Sequence, residues 1–303
     1  MNSISASDRP ATRTLPGWSV PMVFIVAATS QYVGAALGVF LFDTTEPATV
    51  AWLRAAAAGV ALLAWRRPWR TRWTRWGIAV AAGFGIVTVS MNIAFYEAIA
   101  RIPLGTAVAI EFLGPVAVAT LGSRRARDLI AVGLVAVGVV LLAGVQFDVE
   151  PVGVGFALAS AVLWAAYILV GKRVADTGDG QDSLAVGMAA AAVLLAPFVL
   201  IPQLVIDAAV FADPRTWLLG LGVGLLSSAV PYALDQVVLT AVGRARFALL
   251  LALLPATATV VGAIALTQHP TTLELVGIAL VMVALTISAV PTRRAAPEPP
   301  APL

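Results

Sequence analysis

Ten long apolar runs, separated by short connections, constrain the fold of this chain more than any other feature. A helix needs about 20 apolar residues to cross the roughly 30 Å hydrocarbon core of a bilayer, and runs of that length recur along the sequence. Their predicted limits are 20–42, 47–64, 76–99, 104–122, 128–145, 151–171, 183–206, 216–238, 244–266 and 271–291. Only 12% of the residues are charged, against roughly 25% in soluble domains. We therefore predict an all-α polytopic membrane protein with ten transmembrane helices.

The basic residues between these runs predict the orientation of the helices. Connections rich in arginine and lysine stay on the cytoplasmic side of a membrane. The N-terminal segment and every second connection carry 16 of the 19 basic residues, whereas the other connections carry only Arg101 and Arg215. We therefore expect a multi-pass inner-membrane protein with two cytoplasmic tails, 1–17 and a disordered, proline-rich 292–303. The positive charge follows from this topology and does not indicate nucleic-acid binding.

The predicted helices divide into two groups of five, over 18–148 and 149–291. Because five is odd, a second group homologous to the first lies inverted in the bilayer. Pro115 and Pro255 occupy corresponding positions in the fourth and ninth helices, and each proline frees one carbonyl of the preceding turn. We therefore predict that both prolines are hinges near the middle of the membrane. The alternative is a kink used only for packing.

Three ionisable residues are predicted to lie at membrane depth. Because placing a charged group there costs free energy, each of them is a functional candidate. Glu111, four residues before Pro115, either exchanges a proton or hydrogen-bonds a neighbouring helix as a neutral acid. Arg54 cannot lose its charge, so it must find acceptors. We predict a structural ion pair with a carboxylate, or pairing with helix-end carbonyls; binding of a substrate carboxylate is the alternative. Asp235, near the cytoplasmic end of the eighth helix, fits either a cavity or an interfacial position.

Polar and aromatic residues recur at helical spacing on three of the predicted helices. The stripes are Thr88, Asn92 and Tyr96 on the third helix, Ser160, Trp164 and Tyr167 on the sixth, and Ser228, Tyr232 and Asp235 on the eighth. Such stripes line cavities or join helices through hydrogen bonds. Glu97 and Arg101, one turn apart, are spaced for an ion pair near the outer surface.

The sequence contains no recognisable catalytic or cofactor-binding constellation. It has no cysteine, and its single histidine, His269, lies in a short loop without partners at metal-ligand spacing. The connections leave no room for a soluble catalytic domain. We therefore predict no metal, no cofactor and no enzymatic activity, but a small-molecule substrate and protons as ligands. A membrane-embedded enzyme or a scaffold is the alternative class, and the oligomeric state is left open.

The stretch from Ala107 to Ala119, followed by Ser123-Arg-Arg125 and Asp128, resembles the drug/metabolite transporter superfamily, EamA type. Within it, the chain is most similar to the threonine/homoserine exporter subgroup. The likeness extends through Met91-Asn92, Phe95-Tyr96, Pro103-Leu-Gly105, Trp164–Leu169 and Ser228–Asp235. The resemblance implies two inverted five-helix repeats, alternating access and a central cavity. It also implies export of a small metabolite, such as threonine or homoserine, or transport of another small amphipathic compound.

The resemblance also concerns individual residues. Gln31 matches a polar first-helix position, and Asp235 falls where an acid is expected. Subgroup members usually have an acid just before the ninth-helix proline and a Gly-Glu pair before the tenth helix, where this chain has Leu254 and Thr267-Gln268. The predicted substrate- and proton-binding residues are Glu111, Asp235, Gln31, Asn92, Tyr96, Trp164, Tyr167, Ser228 and Tyr232.

Overall fold

The computed structural model describes residues 19–120, 125–147, 150–176 and 180–289. Within these ranges it leaves out the side chains of 143–147, 175–176, 180–181, 236, 240 and 243–245. The predicted tails, 1–17 and 292–303, lie outside the described residues. Every regular element in the described ranges is a helix, as the apolar runs predicted.

Twelve α-helices make up the described part of the chain. They are α1 (Ser19–Val39), α2 (Pro47–Arg66), α3 (Arg75–Ile99), α4 (Leu104–Glu111), α5 (Leu113–Thr120), α6 (Ala126–Phe147), α7 (Pro151–Asp176), α8 (Gly180–Ile206), α9 (Pro214–Gly224), α10 (Val230–Leu250), α11 (Leu254–Ala265) and α12 (Thr272–Ala289). The 3-10 turns are Pro68–Arg70, Ala208–Ala212 and Leu251–Leu253, and a π-helical turn, Leu225–Ala229, joins α9 to α10. Among the described residues, eight spans are long and apolar enough to cross a membrane, and Leu104–Thr120 is a shorter apolar segment.

Most helix limits agree with the prediction to within a few residues, but two predicted connections are largely helical. Helix α10 continues through 239–243, where a connection was expected. That stretch contains no proline, and its single glycine weakens a helix by only about 1 kcal/mol. The predicted connection 172–182 is also mostly helical, because α7 extends to Asp176 and α8 begins at Gly180.

Helix α4 lies at the centre of the bundle, and all eight of its residues are buried. It contacts α7 and α11, while α3 packs on α7 and α8, α1 on α10 and α11, and α6 on α12. The first residues of α4 are fixed by the loop before α12, since the amide oxygen of Gln268 accepts from the Leu104 N–H at 3.0 Å. Central burial explains why any polar group on α4 needs a partner inside the protein.

Close backbone contacts hold these helices together at glycines. A β-carbon at Gly114 on α5 would overlap the carbonyl of Ala161 on α7, and one at Gly85 on α3 would overlap the carbonyl of Gly187 on α8. Small residues allow such approaches in membrane proteins. At the surface, the predicted Glu97–Arg101 ion pair is confirmed, with 2.6 Å between the carboxylate and guanidinium atoms.

Candidate functional site

A small, half-open cavity of about 70 Å³ adjoins the end of α4. Its lining comes from α1, α2, α3, α4 and α7, and consists of Gln31, Tyr32, Arg54, Met91, Asn92, Phe95, Glu111 and Trp164. Four of the predicted binding residues therefore meet here, Gln31, Asn92, Glu111 and Trp164. Arg54, predicted on separate grounds, lines the same cavity.

Glu111 is the last residue of α4 and is only 8% exposed. Its carboxyl group and the hydroxyl of Ser160 on α7 lie 2.5 Å apart, and the same hydroxyl lies 3.2 Å from the carbonyl oxygen of Met91 on α3. A serine hydroxyl has one proton to donate and can also accept. Ionised Glu111 accepts that proton, whereas protonated Glu111 donates to Ser160, which then donates to Met91. One arrangement of heavy atoms thus satisfies both protonation states.

The π-helical turn, Leu225–Ala229, leaves backbone carbonyls without their usual partners. The N–H of Val230 donates to the carbonyl five residues earlier, so the carbonyl of Leu226 does not receive its α-helical hydrogen bond. Pro231 has no N–H, so the carbonyl of Ser227 loses the donor four residues ahead. Two adjacent carbonyls on one helix can therefore accept hydrogen bonds from side chains.

Side chains of two other helices donate to these carbonyls. Arg54 on α2 donates from Nη2 to the carbonyl of Ser227 and from Nε to the hydroxyl of Ser228, both at 3.0 Å. Ser30 on α1 donates to the carbonyl of Leu226 at 2.9 Å. The predicted acceptors of Arg54 are thus a helix carbonyl and a hydroxyl, and it forms no ion pair with a carboxylate in the described part of the chain.

Tyr96 lies beneath the same guanidinium group. Its ring centre is 5.7 Å from Cζ of Arg54, a distance at which a cation is attracted to an aromatic face. Tyr96 is fully buried, and its hydroxyl lies near the Ser227 hydroxyl and the Arg54 guanidinium without completing a hydrogen bond to either. Buried hydroxyl groups without partners are costly, so the surroundings of Arg54 hold unused hydrogen-bonding capacity.

The remaining predicted residues do not line this cavity. Tyr167 stacks on Phe84 with 4.9 Å between ring centres, and Tyr232 meets Trp65 edge-on at 6.3 Å. Asp235, one turn beyond Tyr232 on α10, is half-buried. Tyr167 and Tyr232 therefore lie apart from Glu111, near the end of α2. Asp235 is within electrostatic range of Tyr32, which does line the cavity.

Both candidate hinge prolines follow directly on an interruption of their helix. Helix α4 ends at Glu111 and α5 begins at Leu113, two residues before Pro115. The 3-10 turn Leu251–Leu253 likewise ends just before α11, whose second residue is Pro255. The predicted local opening is present in both helices, and movement about it stays a prediction.

Sequence reasoning missed three lining residues and one backbone acceptor. Tyr32, Met91 and Phe95 each neighbour a residue of the predicted site. The predicted helical faces were therefore correct but included too few residues. The carbonyl of Ser227 carries no side-chain signal, yet the proline four residues later does mark it as a carbonyl without a helical donor.

A larger cavity, of about 430 Å³, lies between α1 and α11. Its lining includes Ile25, Val260 and Ile264, which are 46%, 55% and 78% exposed, and it contains no charged side chain. Exposed apolar side chains on membrane-spanning helices face acyl chains. The smaller cavity is therefore the better candidate, because it combines charged, amide and aromatic groups.

A bundle of membrane-spanning helices around a small polar cavity is the arrangement expected of a polytopic transporter of small molecules. Residues 151–290 match the EamA-like transporter family. The chain is 35% identical over 292 residues to the threonine/homoserine exporter RhtA of Salmonella typhimurium (strain SL1344), covering 94% of this chain and 96% of that protein. It is 34% identical over 280 residues to RhtA of Escherichia coli (strain K12), covering 90% and 92%. The chain therefore belongs to the EamA-like transporter family, as its resemblance predicted.

A solved crystal structure has the same overall fold. It matches with a TM-score of 0.57 over 90% of this chain and 98% of its own length, at 19% identity. At that identity the likeness concerns the fold alone. Together, the eight apolar spans and the bacterial relatives describe a multi-pass inner-membrane transporter.

Proposed function

We propose that this chain exports a small neutral amino acid, such as threonine or homoserine, and is driven by protons. Relatives at 34% and 35% identity over most of the chain bear the name threonine/homoserine exporter. The observation that carries the proposal is the cavity that Arg54 and Glu111 share. An arginine and an acid facing one small space suit a zwitterion, and Trp164 suits a modest apolar part.

The proposed architecture is ten transmembrane helices in two inverted repeats, 18–148 and 149–291, with both termini cytoplasmic. Helix α6, 22 residues long, and the interrupted pair α4–α5 add two spans to the eight long apolar ones. The distribution of basic residues supports the orientation. Single cysteines placed in this cysteine-free chain test it: a residue near Arg70 should resist an impermeant reagent added from outside, whereas one near Asp148 should react.

The proposed coupling uses Glu111 as the proton carrier. An ionised acid at the bilayer centre is disfavoured by roughly 2.5–3.5 kcal/mol unless it meets water or a partner. Ser160 provides that partner for either protonation state. Glu111 can therefore gain or lose a proton without rearranging its neighbours, while access alternates from one side of the membrane to the other. Pro115, one turn away, places the acid beside the proposed hinge.

Counterflow in liposomes tests the function directly. Purified protein is reconstituted in vesicles loaded with unlabelled threonine, and the uptake of labelled threonine is followed. We expect substrate-dependent accumulation, competed by homoserine but not by an unrelated dicarboxylate. Empty vesicles are the control. No accumulation of either amino acid would remove the substrate assignment, and accumulation of a different compound would leave the transporter class in place.

A further inference from the structure

Arg54 brings a positive charge to the cavity and makes no salt bridge to a described carboxylate. Three other arginines of the described chain, Arg66, Arg101 and Arg127, each pair with a carboxylate. Arg54 instead donates to a carbonyl and a hydroxyl, neither of which carries a charge. A guanidinium stays ionised in a protein, and a charge at membrane depth calls for a counter-ion. The end of the cavity next to Arg54 is therefore complementary to an anionic group.

The hydrogen bonds of Arg54 occupy one edge of its guanidinium. Nε and Nη2 point to the same side, and this edge is taken by Ser228 and Ser227. The opposite, end-on edge consists of Nη1 and the second N–H of Nη2. Neither hydrogen bond of the guanidinium to the π-helical turn involves Nη1, and the Tyr96 hydroxyl is close enough to interact with the guanidinium. Two parallel donors of this kind match the two oxygens of a carboxylate.

The anchoring fixes the direction of the free edge. The carbonyl of Ser227 is available because Pro231 supplies no N–H, and the ring of Tyr96 lies under the guanidinium. Three contacts on α3 and around the π-helical turn thus hold a side chain that has many rotamers when free. Pre-ordering of this kind lowers the entropy lost when a ligand binds.

Glu111 lines the same cavity and carries the opposite charge when ionised, and Gln31 and Asn92 add neutral amide groups. We infer that the end-on edge of Arg54 binds the α-carboxylate of the transported amino acid, while Glu111 faces its ammonium group. This inference rests on the proposed function and adds a requirement to it: the substrate must have a free carboxylate. A compound with the same amine and side chain but no carboxylate is then a poor ligand.

Binding of threonine and of threoninol, in which CH₂OH replaces the carboxylate, tests the inference. Affinities are measured in detergent for the parent, Arg54→Gln and the control Arg101→Gln, whose arginine lies in an exposed ion pair. The parent and the control should bind threonine ~10- to 100-fold more tightly than threoninol, as expected for a charged hydrogen-bonded pair. In Arg54→Gln the affinities for threonine and threoninol should differ by no more than about threefold, because threonine binds more weakly while the affinity for threoninol is unchanged.

Two further variants keep the test decisive if Arg54→Gln does not fold. Arg54→Lys retains the charge but loses the paired donors, and Ser228→Ala removes one anchor, so both should lower the ratio without affecting threoninol. If the variants that fold keep the parent's ratio of threonine to threoninol affinity, Arg54 does not bind the carboxylate, and the proposed function is unaffected. A parent that binds neither compound and shows no counterflow would instead overturn the proposed function, and the inference with it.

Discussion

The two helix breaks, one in each half of the chain, are each followed by a proline but differ in the chemistry of their side chains. In the first, Glu111 stands four residues before Pro115 and is hydrogen-bonded to α7. In the second, Leu251 stands four residues before Pro255 and packs with apolar neighbours. In both cases the proline cannot donate to the carbonyl four residues earlier, and in the second break the N–H of Leu254 donates to that carbonyl instead. An interrupted helix therefore does not require an acid, and the acid in the first break has a role of its own.

Glu111→Gln should have the largest effect, because it keeps the size of the side chain and removes ionisation. We expect transport driven by a pH gradient to fall to background while counterflow without a gradient stays measurable. Reconstituted vesicles with imposed gradients give both values. If the variant transports like the parent at every gradient, the acid in the first break does not carry the proton. Asp235 then becomes the next candidate for proton coupling.

Gly114→Ala should destabilise the first break more than Gly262→Ala destabilises the helix of the second. The added methyl group at Gly114 meets the backbone of Ala161, whereas at Gly262 it meets the end of the Gln268 side chain, which can move. We expect the free energy of unfolding to fall by about 1–3 kcal/mol in Gly114→Ala and by about 1 kcal/mol in Gly262→Ala. Thermal unfolding in detergent measures the difference, and equal losses would contradict it.

Ser160→Ala should slow proton-driven transport by about tenfold, because Glu111 loses its hydrogen-bond partner on α7. The matched control is Ser288→Ala, since the Ser288 hydroxyl bonds only to a carbonyl of its own helix, α12. Initial rates at a fixed pH gradient give the comparison. A rate unchanged from that of the control would show that Ser160 does not assist the acid.

Glu97→Gln should have the smallest effect, although it changes the same functional group in the same half of the chain. Glu97 forms an ion pair with Arg101 near the surface, and such pairs contribute about 0.2–1 kcal/mol. We expect a small drop in thermal stability and unchanged gradient-driven transport. Loss of coupling in this variant would mean that acids outside the cavity participate.

The sequence predicted the acid and much of its surroundings because helical spacing assigns residues to faces. Asn92 and Trp164 were found in this way, and Gln31 through the resemblance. The setting of Arg54 was not predictable to the same degree, since its acceptors lie 173 and 174 positions away and depend on how α2 packs on the π-helical turn. The continuous α10 was missed for a different reason: Gly243 and the arginines that follow it were read as the mark of a connection, although nothing there interrupts backbone hydrogen bonding.

The π-helical turn has a consequence for how this chain tolerates insertions and deletions. Such a turn fits one additional residue into a helix. Deleting a single residue within Leu225–Ala229 would give an α-helical turn, in which only the carbonyl four residues before Pro231 is left without a donor. Ser30 or Arg54 would lose its acceptor, although both side chains would be unchanged. In this segment, chain length is therefore as constrained as residue identity.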